Sequence, residues 1–273
     1  MHLKRALFAT LLGTVLTGLV AGPALAKDTL AEVKQRGKLI VGVKADYKPY
    51  GYTDPSGKVI GFEPDLAADV AKRLKVELEL VPVVAANRMQ FVQQGRIDLM
   101  IATMSDRKDR REVVGIPDPA YYAAGVNVLA KKDAGLKNWE DIKGKNVCGI
   151  QGAFYNKSVQ EKYGPNIVAF PGTTEALSAL KSGNCVAFVY DDTFFQGKVT
   201  DPDWKDYKIA FKSIDPDPWG VGVAKDDEKF KAFMSDTIKD WHKSGFIQNE
   251  EKKWSIPPSD FAKSMHDEYG KKK

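Results

Sequence analysis

Histidine and cysteine are almost missing: three histidines and two cysteines in 273 residues. His2 lies at the extreme start, and His242 and His266 are too few and too badly spaced to hold zinc. Neither Cys148 nor Cys185 has a histidine near it, and no Gly-x-Ser-x-Gly stretch occurs, so nucleophilic hydrolysis has no sequence support. Basic runs are absent except for the terminal Lys271-Lys272-Lys273, which removes the footprint of a nucleic-acid or membrane-surface binder. No low-complexity linker interrupts the chain.

What is present begins with MHLKRALFATLLGTVLTGLVAGPALA, residues 1–26. A basic start at Lys4 and Arg5, a short glycine-broken apolar stretch and a closing Ala24-Leu25-Ala26 form the secretory signal pattern, with cleavage expected after Ala26. No cysteine lies near that point, which argues against a lipid anchor. The leader holds two of the 41 basic residues and none of the 36 acidic ones, so the exported remainder carries a formal charge of +3. The remaining 247 residues are enough for one large domain or two lobes. Export permits a disulfide between Cys148 and Cys185, each at the entry of an expected strand, in VCGI and CVAFV. The alternative is two small buried thiols.

Strand and helix patterns alternate. KLIVGV reads as a buried strand, VELELVPV alternates with a period of two, and Asp65 to Leu74 between them has helical spacing. Asn87 to Gln94 reads as a helix stopped by Gly95. VCGI, NIVAF, VAFVY and YKIAF are further strands, with helices over 155–163 and 175–181. Phe230, Phe233, Met234, Ile238 and Trp241 mark one face of a long helix ended by Gly245. This order predicts an α/β architecture with largely parallel sheets.

One layout occurs twice. FVQQGRIDLMIATMS and ALKSGNCVAFVYDDT both run helix, glycine, strand, polar terminus. Eight residues beyond Gly95 stands Thr103, eight beyond Gly183 stands Asp191, and two further on are Ser105 and Thr193. Open α/β sheets bind ligands at the carboxyl ends of their strands. Ser105 is a good helix N-cap, and the charged DRKDRRE behind it supplies an arginine, whose planar fork fits a carboxylate. An anion acceptor facing the Asp191 carboxylate describes the two ends of an amino acid zwitterion.

GKLIVGVKADYKPYGY, GKVIGFEPDLAADVAKRL, NRMQFVQQGRIDLMIATMSDRKDRR, GKNVCGIQG and GNCVAFVYDD, in that order, resemble the bacterial extracellular solute-binding proteins of amino acid ABC importers, family 3. The resemblance runs from about Lys38 to Trp254. It implies the two-lobed periplasmic-binding-protein fold (type II), each α/β lobe a mostly parallel sheet flanked by helices, with two hinge strands. Lobe 1 is expected over 27–122 and 219–273, the latter including the C-terminal tail, and lobe 2 over 123–218. The crossings would fall near Tyr122–Val126 and Pro216–Val221.

The resemblance also implies roles. Arg110 corresponds to the carboxylate-binding arginine, Arg107 and Arg111 to solvated helix charges, Thr103 and Ser105 to hydroxyl and backbone contacts, and Asp191 to the ammonium partner. The family's Gly-Thr-Thr after the second-lobe strand is here Gly152-Ala153-Phe154, which keeps N–H groups but loses both hydroxyls, so the carboxylate leans harder on Arg110. Arg88 and Lys44 resemble positions that hold the distal carboxylate in glutamate- and aspartate-binding members, while Ala85 offers space without a polar contact. Tyr47 resembles the ligand-stacking position; Phe154 and Thr173 are further candidates, as are Tyr50, Tyr155, Tyr190 and Trp219.

A polar, acidic L-amino acid is therefore the expected ligand, with a membrane permease as partner, no cofactor, a monomeric state and a periplasmic location. A dehydratase of prephenate or arogenate on the same fold is the competing reading. The hinge-proximal Asp215-Pro216-Asp217-Pro218-Trp219 lacks the glutamate those enzymes need, so no enzyme activity is expected.

Overall fold

The computed structural model describes residues 27–271, so the expected leader lies outside the described residues. Helix α1 (Thr29–Arg36) leads into strand β1 (Lys38–Val43), and β2 (Asp46–Tyr47), β3 (Gly51–Thr53) and β4 (Val59–Ile60) form a small antiparallel sheet. Then follow α2 (Phe62–Leu74), β5 (Glu77–Pro82), α3 (Arg88–Gln93), β6 (Leu99–Ile101) and the single turn α4 (Lys108–Arg111). The long β7 (Tyr122–Lys131) opens a second set: β8 (Asn146–Ile150), α5 (Tyr155–Tyr163), β9 (Asn166–Phe170), α6 (Thr173–Lys181), β10 (Ala187–Asp191), α7 (Asp192–Val199) and β11 (Tyr207–Ile209). Strand β12 (Ile214–Trp219) returns to α8 (Glu228–Ser244), α9 (Phe246–Lys253) and α10 (Asp260–Gly270).

Two larger sheets result. The first, in the order β5-β1-β6, is wholly parallel, and the alternating edge strand β5 keeps its polar residues outward. The second has the order β11-β7-β10-β8-β9, with β12 also on β7. Only β10–β8 and β8–β9 are parallel; β7 runs antiparallel to β10, β11 and β12. The expectation of largely parallel sheets therefore fails here. Parallel neighbours need a crossover, usually helical, and β7 enters this sheet directly from the first.

β7 and β12 lie side by side where the chain passes between the sheets, in the register Tyr122↔Trp219, Ala123↔Pro218, Ala124↔Asp217. Just beyond β12, Gly222 bridges Met100 and Val223 bridges Gly115, so the returning chain is stitched to the first sheet. Beneath the pair, Tyr50, Phe62, Tyr122 and Trp219 pack with ring centroids 5.2–5.6 Å apart. Helix α8 forms as its spacing predicts: Phe230, Met234, Ile238 and Trp241 are buried, Asp227 caps its start through Phe230 N–H, and Gly245 ends it at φ 74°.

Cys148 and Cys185 form a disulfide across a Cα–Cα distance of 5.6 Å. Neighbouring strands bring them together, since Cys148 pairs with Phe188 in the β8–β10 ladder. Closing a loop of 37 residues is worth about 4 kcal/mol on the loop-entropy relation.

Candidate functional site

Four buried charges converge where the carboxyl ends of β6 and β10 meet the paired strands β7 and β12. Arg88 opens α3, Arg110 lies in α4, Asp191 ends β10 and Asp217 is in β12; each is no more than 5% exposed. Arg88 donates to the Ala102 carbonyl, and Arg110 donates to the carbonyls of Ser105 and Gly152 at 3.2 Å. Neither arginine meets a carboxylate among the described residues, and the Arg88 Nε–H has no partner. Burial, with Arg88 close by, pulls the Arg110 guanidinium down to about 10. These are desolvated cations with no carboxylate in direct contact among the described residues, a costly arrangement that an anion would relieve.

The strand end itself is strained. Thr103 sits in the left-handed region at φ 46°, which costs about 1–3 kcal/mol for a β-branched residue. Its N–H is held at 2.6 Å by Glu63, which also accepts from the Tyr121 hydroxyl. Burial pushes the Glu63 carboxyl up to about 8.

Several expectations are corrected nearby. Ser105 does not cap α4: Arg107 occupies that position without a side-chain cap, and Ser105 Oγ donates to Asp217 at 2.8 Å. Arg111, although its side chain is 37% exposed, is ion-paired rather than free. It grips Asp106 with two bonds of 2.5–2.6 Å, reaches Asp118 at 2.5 Å and the Ile116 carbonyl at 2.9 Å, tying the turn to the following loop. Arg107 lies 4.4 Å over the Phe154 ring, linking the two halves. The Ala153 N–H is already bonded to the Ile150 carbonyl, so the 152–154 loop has fewer free donors than expected.

The two halves touch across the site. Tyr47, fully buried, donates to Asp191 at 3.1 Å and shares a 2.7 Å hydrogen bond with Thr193, while its ring packs on Tyr50, Tyr190, Phe194 and Trp219. Gly152 has φ 79°, and a Cβ there would meet the Ala85 carbonyl carbon at 2.9 Å, so the space beside Ala85 is taken by this loop. Lys44 does not stand free for a ligand: it is 1% exposed and ion-paired with Asp46 at 2.7 Å. Thr173 is likewise engaged by Asp46, through its N–H at 3.0 Å and its hydroxyl at 2.7 Å to the Asp46 carbonyl. Helix α6 has only Gly172 at its N-cap, so Asp46 serves as its cap from the opposite half.

That contact has a measurable consequence. Thr173→Val removes the hydroxyl bonds and keeps the N–H, a loss of about 1–2 kcal/mol. Ligand dissociation should accelerate about tenfold with little change in association, read by stopped-flow fluorescence. A change confined to association would instead mark Thr173 as a first point of contact for the ligand.

Residues 39–257 match the bacterial extracellular solute-binding proteins, family 3. The chain belongs to that family. Among similar proteins is the ABC transporter glutamine-binding protein of Bacillus subtilis, 30% identical, with 84% of this chain and 85% of that one covered. The glutamate/aspartate import solute-binding protein of Salmonella typhimurium is 27% identical, covering 88% and 87%. A crystal structure of the P235GK mutant of ArgBP from T. maritima superposes with a TM-score of 0.78 at 30% identity, covering 84% of this chain and 99% of that one. All three carry the names of binding proteins rather than enzymes.

In this family 3 chain, sequence reasoning overlooked Glu63, Asp46 and Asp217. Glu63 had a usable signal: it occupies the face of α2 shared by Leu66, Ala67, Val70 and Leu74, all buried. A charge on an apolar helix face needs a buried partner. Asp217 carries no such signal, because its partner Ser105 is remote in sequence, and neither does the contact of Asp46 with Thr173.

Proposed function

We propose that this chain is the substrate-binding receptor of an amino acid ABC importer and that it takes a polar, acidic L-amino acid. The supporting observation is the pair of buried arginines without carboxylate partners, Arg88 and Arg110. One anionic ligand group would satisfy one of them; a dicarboxylic amino acid satisfies both. Arg110, with Thr103 and Ser105, takes the α-carboxylate; Asp191 takes the ammonium; Arg88 takes the distal carboxylate. Lys44 is neutralised by Asp46, so acidic selectivity rests on Arg88. Tyr47 and Phe154 wall the ligand.

The lobes are 27–122 with 219–273 on one side and 123–218 on the other. An open form captures ligand, and closure follows because only the closed state satisfies both ends of the zwitterion. The closed complex then docks on the permease. Cleavage after Ala26 would release the receptor to the periplasm, where it acts as a monomer.

Relatives named for glutamine, for glutamate and aspartate, and for arginine leave three ligand chemistries to separate. Purified protein, stripped of ligand by unfolding and refolded, is screened by thermal shift against the amino acids. A ligand at a hundredfold over its Kd adds about 2.7 kcal/mol, or a rise of roughly 5–10 °C for a chain this size. Glutamate and aspartate should give the largest rises. A larger rise with arginine would sink the acidic assignment, and no rise with any amino acid would sink the receptor.

A further inference from the structure

Strands β10 and β12 both lie on β7, from opposite sides. Asp191 stands opposite Val126 of β7, and Asp217 opposite Ala124. Val126 and Ala124 are two apart on one strand and share a face, and residues directly opposite in a ladder share it too. The two aspartates therefore project from the same face, separated by two strand spacings, about 10–12 Å between Cα atoms once the offset along β7 is included. On β7 between them stand Val126 and Ala124. The two carboxyls are close enough for the charge of Asp217 to act on Asp191.

Each carboxylate is also short of partners. Asp217 has the Ser105 hydroxyl at 2.8 Å and Asp191 the Tyr47 hydroxyl at 3.1 Å, and neither has a cation in contact among the described residues. An ionised carboxylate accepts about four hydrogen bonds, and a buried one without a counter-ion is costly.

We propose that Asp217 is a second carboxylate of the ligand-ammonium site, holding the α-ammonium jointly with Asp191. This rests on the amino acid receptor reading and adds to it a residue from the hinge strand, so that ligand capture bears directly on the strand pair joining the lobes.

The ionisation of the two carboxyls gives a second readout. Asp217 faces Asp191, Arg88, Arg110, Ser105 and Trp219; Asp191 faces Asp217, Tyr47, Arg88 and Asp192. Burial pushes the Asp217 carboxyl up to about 6, and burial together with the Asp217 charge pushes Asp191 well above the usual carboxylate range. Both values lie above those of the unfolded chain. Their stabilising contribution is therefore full below a pH of about 4 and is lost as pH rises through about 6 for Asp217. Ammonium binding favours the ionised form, so affinity falls as pH drops through about 6 and capture there releases protons.

The test is calorimetry with L-glutamate and with glutarate, which lacks only the α-ammonium, on wild type and Asp217→Asn. If the screen favours the amide, L-glutamine and glutaramate replace them. Asparagine keeps an acceptor for Ser105 and the same bulk. Asp217→Asn should weaken the amino acid about tenfold or more and its des-amino analogue less than about threefold. Proton release at a pH of about 6, measured in two buffers of different ionisation enthalpy, should fall in the variant. Weakening of both ligands alike, unchanged affinity for both, or undiminished proton release overturns the assignment and returns Asp217 to holding Ser105. A wild-type protein that binds no amino acid sinks the receptor reading itself, a separate result.

Discussion

Arg110→Ala abolishes binding of every amino acid ligand together. Arg110 is buried, its charge is unpaired, and its two hydrogen bonds go to neutral carbonyls of Ser105 and Gly152. The group it awaits, an α-carboxylate, is common to all amino acids. Truncation leaves that carboxylate buried without its partner, a loss of about 2–5 kcal/mol, or roughly thirtyfold to several thousandfold in Kd. The ligand-free protein should keep its melting temperature within a few degrees, because the side chain forms no ion pair whose loss would expose a second charge. Calorimetry with glutamate, aspartate and glutamine checks the binding, and a thermal scan checks the fold. Retention of any one ligand within about threefold would move the carboxylate site to Arg88, which lies close enough to depress Arg110's own pKa.

Arg88→Met should instead split the ligands. Methionine keeps apolar bulk at the start of α3 and removes the charge with its unpartnered Nε–H. Glutamate and aspartate then bury a distal carboxylate with no cation, because Lys44 is already neutralised by Asp46. Their affinity should fall about a hundredfold or more, while glutamine and asparagine stay within about tenfold. Specificity here is a difference of two affinities, so the ratio decides rather than either loss alone. Equal losses for glutamate and glutamine would end the acidic assignment and leave the amino acid receptor standing. A gain for glutamine would follow if removing the buried charge also removes its desolvation cost.

Much of the scaffold was legible because its determinants are local. The period of two in VELELVPV, the apolar face from Phe230 to Trp241 and the glycine stops at Gly95 and Gly245 all became the expected elements. The repeated layout was also informative. Gly95 and Gly183 both take positive φ; Thr103 follows β6 of the first sheet by two residues, and Asp191 ends β10 of the second. Arg88, Arg110, Ser105 and Asp191 are all buried.

What local pattern did not carry was pairing. A strand pattern is the same for either direction of its neighbour, so the antiparallel β7 in a sheet expected to be parallel was invisible until the ladders formed. Charge alone could not say which cations stay free. Lys44 and Arg88 look alike as candidates, yet Lys44 finds Asp46 two residues away while Arg88 finds only a carbonyl. Arg111 and Arg110 are adjacent in sequence, but helical geometry turns one toward Asp106 and the other into the cleft. The sequence by itself determined the elements, their order and the chemical kinds of group at the strand ends. Only the tertiary structure decided which of those groups are already satisfied. Electrostatic pairing depends on distance in space, and the contacts joining Asp46 to Thr173 and Ser105 to Asp217 each span more than a hundred residues of chain.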